Sequence, residues 1–242
     1  MLRFRSLGSG STGNATLVEA TSGGHTTRVL IDCGFTQRHI EARLARAGLV
    51  PSMLDAIFIT HEHGDHIGCA HALSRRAGVP VWMSEGTWLA TGARDYGGRL
   101  QPFTVPHDAR EPLQLRCTDG ARHLGVLTDL GHATPHVLAA LAGLDALLLE
   151  FNHDSEMLAN SAYPPFLKRR VGGDWGHLSN AAAAAIAARL QHSALRHLVA
   201  AHLSEQNNRP ELVRQLMAQA VGGHHDEMLT ATAAEGTPWL DV

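Results

Sequence analysis

The chain has 242 residues, of which 44% are hydrophobic and 18% are charged, and its formal net charge at pH 7 is −3. This composition excludes a disordered chain, a collagen-like repeat and a coiled coil. The charge excludes a strongly basic protein that coats nucleic acid, although it is compatible with a local basic groove. The length suits one large domain, and we expect a single domain over residues 1–242.

Cysteine content and apolar stretches indicate the compartment. Cys33, Cys69 and Cys117 are odd in number and lack C-x-x-C spacing, which fits a reducing environment. The N-terminus has basic residues but no apolar segment of a signal peptide. The longest strongly apolar stretch, Ala181–Ala188, is shorter than the roughly 20 residues that cross a bilayer. We therefore expect a cytoplasmic protein without a membrane partner, and the sequence leaves the oligomeric state open.

Short runs rich in Val, Ile and Leu alternate with helical patterns along the chain. The apolar runs predict strands at Arg28–Ile31, Ala56–Thr60, Val79–Met83, Gly125–Thr128, Ala146–Phe151 and His197–Ala201. Caps and glycine stops predict helices at Thr36–Ala47, Ile67–Ala77, Asn180–Gln191 and from Pro210 to Gly222–Gly223. This alternation favours an α/β fold in which sheet packs between helices.

The strongest chemical signal is the segment His61-Glu62-His63-Gly64-Asp65-His66, which directly follows an apolar strand. Residues two apart on an extended chain point to one side, so His61 and His63 can bind one ion. Asp65 and His66 then begin the next helix and can face a second ion. Imidazole and carboxylate suit Zn²⁺, and they also suit Mn²⁺ and iron. A solvated His-rich loop is the alternative, which this position after a strand disfavours.

This segment resembles the H-x-H-x-D-H motif of the metallo-β-lactamase fold superfamily. Further motifs of that superfamily match in chain order at Leu30–Gly34, Pro106–Ala109, Leu127–Gly131 and Ala201–Ser204. The resemblance implies a four-layer αββα sandwich with a dinuclear metal centre. It differs from the usual pattern at Cys69, where the superfamily commonly has glycine and this chain has its glycine one residue earlier.

Smaller features narrow the resemblance to the YycJ/WalJ group, which is described as a group of 5′-exonucleases and is similar in its core to RNase J and tRNase Z. These features lie at Ser6–Asn14, Phe151–Asp154, Leu167–Arg170, Gly176–Asn180, His202–Ser204 and Asn207–Asn208. The resemblance therefore implies a nucleic acid substrate.

The resemblance also implies two divalent metal ions, zinc or manganese ahead of iron. Each ion would have three ligands of its own, namely His61, His63 and His107 for one ion and Asp65, His66 and His202 for the other. Asp129 would bridge the two ions, and Asp32 would orient a ligand imidazole or the bridging water. Asp65, Asp129 and Asp32 are therefore also candidate catalytic residues.

Two further histidines, His153 and His177, lie in polar loops near predicted strand ends. Each could protonate the leaving oxygen or contact a phosphate, and the alternative is a hydrogen-bonded or helix-capping histidine. His153 could also touch a metal ion. The candidate substrate contacts are Ser9, Ser11, Asn14, Lys168, Arg169, Arg170, Ser179 and Asn180. Turn, cap and surface roles are the alternatives for these residues, and His224 and His225 are interpreted as surface or structural residues.

The favoured hypothesis is a metal-dependent hydrolase of phosphodiester bonds, acting as a 5′-to-3′ exonuclease on DNA or RNA by attack of a metal-bound hydroxide on phosphorus. A hydrolase of a cyclic phosphodiester, thioester or lactone is the second hypothesis, because one fold hosts many chemistries. A non-catalytic metal-binding regulatory protein is the third. The segment Pro106–Ala109 reads P-H-D-A and not the G-H-T-x-G typical of thioesterases and lactamases, and every expected ligand is present.

Overall fold

The computed structural model describes residues 1–91, 101–192, 194–223 and 228–242, so His224 and His225 lie outside the described residues. The described residues form two six-stranded mixed sheets flanked by helices. In chain order the strands are β1 (Leu2–Gly8), β2 (Ala15–Ser22), β3 (His25–Ile31), β4 (Ala56–Phe58), β5 (Val81–Trp82), β6 (Gln101–Thr104), β7 (Leu113–Thr118), β8 (His123–Leu127), β9 (Ala146–Glu150), β10 (His197–Ala201), β11 (Leu229–Thr230) and β12 (Leu240–Asp241). In the first sheet the strand order is β12-β1-β2-β3-β4-β5, and in the second it is β11-β10-β9-β8-β7-β6.

The helices cover the outer faces of the two sheets. They are α1 (Gln37–Arg46), α2 (Gly64–Ile67), α3 (Ala70–Ala77), α4 (Glu85–Thr91), α5 (Pro135–Ala140), α6 (Ser155–Asn160), α7 (Pro165–Val171), α8 (Asn180–Leu190) and α9 (Pro210–Val221), with a short 3₁₀ turn at Pro51–Met53. The side-chain oxygen of Ser179 accepts a hydrogen bond from the first turn of α8, as the sequence predicts, and that of Thr36 caps α1 in the same way. No helix among the described residues is long and apolar enough to cross a membrane.

Three layers of apolar packing give the αββα order that the sequence predicts. Strand residues alternate between the two faces of a sheet, so Leu148 of β9 enters the core between the sheets while its neighbours Leu147 and Leu149 face helices. In β3, Ile31 likewise points between the sheets and Leu30 packs under α1 and α3. Each fully buried aliphatic side chain of this kind contributes about 1.5–3 kcal/mol of transfer free energy.

Parallel strand pairing places the chemistry at one edge. Strands β3, β4 and β5 are parallel neighbours, as are β8, β9, β10 and β11. The carboxyl ends of parallel strands meet at the same edge of a sheet, where ligand sites of α/β proteins usually form. The loops that leave β3, β4, β8 and β10 at these ends carry Asp32, His61, Asp129 and His202.

All six predicted strands are present. Strands β4, β5 and β9 are one to three residues shorter than predicted, β3 and β8 begin two or three residues earlier, and β10 has the predicted bounds. Strands β1, β2, β6, β7, β11 and β12 were not predicted. The alternation of Leu2 and Phe4 with the partly exposed Arg3 and Arg5 is the signal that reveals β1 as a half-buried strand.

The predicted helix Ile67–Ala77 is wrong at its start, because α2 ends at Ile67 and α3 begins at Ala70. Gly68 between them has φ +32°, and a Cβ there would lie 2.4 Å from the carbonyl oxygen of Cys33. A Cβ on Gly34 would lie 1.7 Å from the carbonyl oxygen of Asp65. Glycine is therefore required at both positions, because the loop after β3 and the turn after α2 touch backbone to backbone.

Candidate metal centre and cleft

The structure brings all seven predicted metal ligands together at the carboxyl ends of the parallel strands. Ligand atoms within 4.8 Å of one another form four groups among the described residues. They are His61, His63 and His107; Asp65, His66 and His202; His61, His66 and Asp129; and Asp129, Glu150, His177 and His202. The first two groups are the two triads that the resemblance implies. Asp129 belongs to the third group, which joins the triads.

Buried acceptors fix the orientation of two imidazoles contributed by the first sheet. His66 donates from Nδ1 to Oδ2 of Asp32 at 2.8 Å. The hydroxyl of Thr60 donates a hydrogen bond to Oδ1 of Asp32 at 3.0 Å. The same hydroxyl accepts a hydrogen bond from Nδ1 of His61 at 3.0 Å. Both Nδ1 atoms are therefore occupied, and the Nε2 atoms are directed to the centre.

The imidazoles from the second sheet are oriented in the same way. His107 donates from Nδ1 to the carbonyl oxygen of Gly176 at 2.9 Å, and His202 donates from Nδ1 to Oε1 of Glu150 at 3.1 Å. The Nε2 atom of His107 lies 3.4 Å from Nδ1 of His63. This convergence of ring nitrogens is the arrangement in which a metal ion is chelated.

Unpaired buried atoms show that the donor set fits a cation. The Nε2 atoms of His61 and His202 are buried and have no hydrogen-bond partner in the described part of the chain. A buried polar atom left without a partner costs about 1–3 kcal/mol. Burial opposes a charge on His202, yet the carboxylates of Asp129, Asp65 and Glu150 raise its pKa to about 10. The site therefore favours positive charge at this place.

Glu150 is a site residue that the sequence analysis missed. It is completely buried at the end of β9, where its Oε1 accepts Nδ1 of both His177 (2.7 Å) and His202. Its Oε2 accepts the backbone N–H groups of Leu130 at 3.0 Å and Leu178 at 3.1 Å. The signal in the sequence is a lone carboxylate that ends the apolar run Ala146–Leu149, at a position where burial requires several partners.

Protonation states in the centre follow from burial and neighbouring charges. Burial lowers the pKa of His61 well below its usual value, so this imidazole is neutral. Burial opposes the ionised form of Asp129, but the positive charges of His202 and His66 hold its pKa well below the usual range. Burial also opposes a charge on His177, but the charge of Glu150 and the hydrogen bond to it raise the pKa of this imidazole.

Two residues of the centre have left-handed backbone conformations. Asp32 has φ +62° and His202 has φ +54°, in a region that residues other than glycine seldom adopt. The N–H group of Asp32 donates to the carbonyl of Phe58 at 2.7 Å, and that of His202 donates to Oγ of Ser9 at 2.8 Å. Such strain is retained where surrounding contacts over-determine the geometry, as at functional sites.

An open cleft leads to the centre. It is lined by Ser11, His63, Gly64, Asp65, Asp108, Asp129, Leu167, Arg170, Val171, Gly176, His177 and His202. Arg170 on α7 donates from Nε to Oδ2 of Asp108 at 2.5 Å, and its side chain is 59% exposed. His177 is 22% exposed, so it faces both the cleft and the buried Glu150.

Several of the predicted substrate contacts are buried beneath the residues that line the cleft. Ser9, Asn14 and Asn180 are almost completely buried, which fits the turn and cap roles that are the alternatives to substrate contact. The Oδ1 atom of Asn14 accepts a hydrogen bond from the hydroxyl of Ser9, and its Nδ2 atom lies 3.1 Å from Nε2 of His66. Asn180 pairs with Asn208, and Ser179 caps α8. These residues support the loops that carry the ligands.

The remaining predicted residues have different positions. Lys168, Arg169 and Arg170 lie on α7, and Ser11 is exposed at the cleft. His153 is buried and belongs to none of the metal-binding groups formed by the described residues. Burial lowers the pKa of its imidazole, so a smaller fraction of His153 than of His177 carries a proton that could be donated.

Replacing Asp129 tests the assembled donor set. We expect Asp129→Ala to lose at least half of the zinc that the wild-type protein retains after desalting, because the carboxylate contacts both triads. Inductively coupled plasma mass spectrometry measures this content. The control is Glu156→Ala, which removes an exposed carboxylate on α6. Equal zinc content in Asp129→Ala and wild type would contradict a bridging position.

Comparison with known proteins identifies the family. The sequence model of the metallo-beta-lactamase superfamily matches residues 8–148. The chain is 33% identical over 239 residues to "Exodeoxyribonuclease YycJ" of Bacillus anthracis, covering 91% of this chain and 89% of that protein. It is 31% identical over 236 residues to "Exodeoxyribonuclease WalJ" of Streptococcus pneumoniae serotype 2, covering 89% and 86%. The metallo-beta-lactamase fold protein YhfI of Bacillus subtilis shares the fold over 100% of both chains, with a TM-score of 0.71 and 19% identity. This chain therefore belongs to the metallo-β-lactamase superfamily.

Proposed function

We propose that this chain is a metal-dependent phosphodiesterase that acts as an exonuclease on DNA. The observation that carries the proposal is the convergence of seven imidazole and carboxylate ligands at the base of an open cleft bordered by the basic helix α7. The similarity to two exodeoxyribonucleases, over most of each chain, supports DNA as the substrate.

Two divalent ions are proposed, zinc or manganese ahead of iron. His61, His63 and His107 would hold one ion, Asp65, His66 and His202 would hold the other, and Asp129 would contact both. When bound, such a pair acidifies a water molecule and neutralises charge on the phosphate oxygens. Asp32 and Glu150 are the positioning residues, since each holds a ligand imidazole by its Nδ1 atom.

His177 is the proposed proton donor to the leaving oxygen. Glu150 accepts its Nδ1–H and raises the pKa of the ring against the opposing effect of burial, which favours the protonated imidazole. Nδ1 is occupied, which leaves Nε2–H to give its proton to the oxygen that departs from phosphorus. Glu150 then stabilises the ring orientation in which that transfer occurs.

The segment from α7 to Trp175 is the proposed binding surface for a single strand. Phe166 and Trp175 are 65% and 63% exposed, which is unusual for large aromatic side chains. They stand beside Leu167 and Gly176, which line the cleft, and Lys168–Arg170 provide positive charge between them. Exposed rings stack on unpaired bases while basic side chains neutralise phosphates. Arg170 would break its ion pair with Asp108 and bind a substrate phosphate in its place.

The two alternatives are not favoured by these observations. A non-catalytic protein is expected to lack a ligand, whereas the described residues include the complete set. A thioesterase or lactonase does not require a basic segment with exposed aromatic side chains at the rim of the cleft. Both alternatives remain distinct outcomes of the substrate test below.

The decisive test of the function compares substrates on protein loaded with zinc or with manganese. We expect turnover of bis-p-nitrophenyl phosphate and stepwise release of nucleotides from 5′-phosphorylated single-stranded DNA, and no turnover of nitrocefin or a thioester. Chelation with EDTA should abolish both reactions. Turnover of nitrocefin or the thioester alone would reject the proposal, as would absence of any turnover while metal is bound.

The role of His177 is tested by comparing two substrates, one whose leaving oxygen needs a proton and one whose leaving group does not. His177→Ala should slow DNA cleavage by about 10²–10⁴-fold, the usual contribution of a general acid. The same variant should slow bis-p-nitrophenyl phosphate much less, because p-nitrophenolate leaves without protonation. Metal content should stay at the wild-type level, and His39→Ala, an exposed histidine on α1, is the control. Equal losses on the two substrates would contradict the assignment.

The aromatic surface is tested by binding. Trp175→Ala should raise the Kd for single-stranded DNA by roughly tenfold, because stacking of one base contributes about 1–3 kcal/mol to binding. Turnover of bis-p-nitrophenyl phosphate, which carries no strand of bases to stack on this surface, should not change. Leu89→Ala removes another exposed apolar side chain, on α4, and is the matched control. An unchanged Kd in Trp175→Ala would exclude stacking at this residue.

A further inference from the structure

A pair of cysteines lies beside the metal centre and takes no part in the proposed reaction. The Sγ atoms of Cys33 and Cys69 are 3.5 Å apart. Cys33 directly follows Asp32 and is completely buried, whereas Cys69 is partly exposed at the break between α2 and α3. The N–H group of Cys69 donates to the carbonyl of Cys33 at 3.2 Å. The two main chains are therefore already adjacent.

We propose that Cys33 and Cys69 are a modification site at which a peroxide forms a reversible disulfide, and that this cross-link inhibits the enzyme. A disulfide requires an S–S distance of about 2.05 Å, so the sulfur atoms must approach each other by roughly 1.5 Å. Such an approach is small for two side chains whose backbones are joined by a hydrogen bond. Disulfides in reducing compartments are chiefly of this transient, redox-sensing kind.

The reaction proceeds in two balanced steps with hydrogen peroxide as the oxidant. The sulfur of the partly exposed Cys69 attacks one oxygen of the peroxide first. An S–O bond forms, the O–O bond breaks, and the other oxygen leaves with the thiol proton as water, so that Cys69 becomes a sulfenic acid. The thiol of Cys33 then attacks the sulfenic sulfur, the S–S bond forms, and the hydroxyl group leaves with the thiol proton as a second water molecule. Two electrons pass from the two thiols to the peroxide, and a dithiol reductant reverses the change.

Tight packing connects this cross-link to the metal centre. The N–H group of Cys33 donates to the carbonyl of His66 at 2.7 Å, and Gly34 packs directly against the backbone of Asp65. Close-packed interiors transmit displacement because they contain little free volume. Movement of Cys33 therefore shifts Asp32 and His66, whose hydrogen bond orients a ligand imidazole. A misplacement of about 1 Å in an active site can cost about 10²-fold in rate.

The cross-link itself is tested without any assay of activity. The metal-loaded protein is treated with hydrogen peroxide, unfolded and titrated with a thiol reagent. We expect the number of free thiols to fall from three to one, with a mass loss of about 2 Da for one disulfide. A peptide that links Cys33 to Cys69 should appear in the non-reduced digest and disappear with dithiothreitol. Persistence of three thiols, or linkage through Cys117, would overturn the proposal.

The inhibitory effect rests on the proposed phosphodiesterase function and is measured on bis-p-nitrophenyl phosphate. Peroxide should lower wild-type turnover by roughly tenfold or more, with recovery in dithiothreitol. Cys69→Ser should resist this loss, whereas Cys117→Ser, which alters a buried cysteine between the sheets, should lose activity like wild type. Equal inhibition of Cys69→Ser and wild type would reject the regulatory effect. Absence of basal turnover would reject the phosphodiesterase function, while the thiol count still decides the cross-link.

Discussion

The whole site depends on two buried carboxylates, Asp32 and Glu150, that hold imidazole rings from behind. Each accepts an Nδ1–H group and so determines which nitrogen faces the centre. Asp32 performs this role for the first sheet and Glu150 for the second, in both cases at the carboxyl end of a parallel strand. A carboxylate is costly to bury unless several donors meet it, and both residues have such donors. Their interactions convert flexible histidines into preorganised ligands.

The two carboxylates differ in what else they hold. Asp32 accepts the N–H group and the hydroxyl of Thr60, and through that hydroxyl it also orients His61. Glu150 accepts two backbone N–H groups and a second imidazole, that of His177, which is not a member of either predicted triad. Asp32 therefore only orients ligand imidazoles, whereas Glu150 also favours the protonated form of His177, which lines the cleft.

The sequence predicted the ligands better than the residues that support them. Ligand spacing in the His61–His66 segment and motif order along the chain are local signals, and the structure gathers the residues they indicated. Glu150 has no such spacing, because its partners come from distant loops and are revealed only by the fold. Asn14 and Asn180 were candidate substrate contacts with turn and cap roles as the alternatives, and tertiary packing, which the local sequence does not contain, buries both. The break at Gly68 depends on a close approach to Cys33 that one-dimensional periodicity does not contain.

The origin of the ligands on two different sheets has a structural consequence. His61, His63, Asp65 and His66 leave the first sheet, whereas His107, Asp129 and His202 leave the second. Cations bound by both sets of ligands would connect the two sheets of the sandwich. Their binding free energy would then add to the free energy of folding. Loss of metal would thus weaken the packing between the two sheets as well as the chemistry, and it would leave the metal-free chain more susceptible to proteolysis.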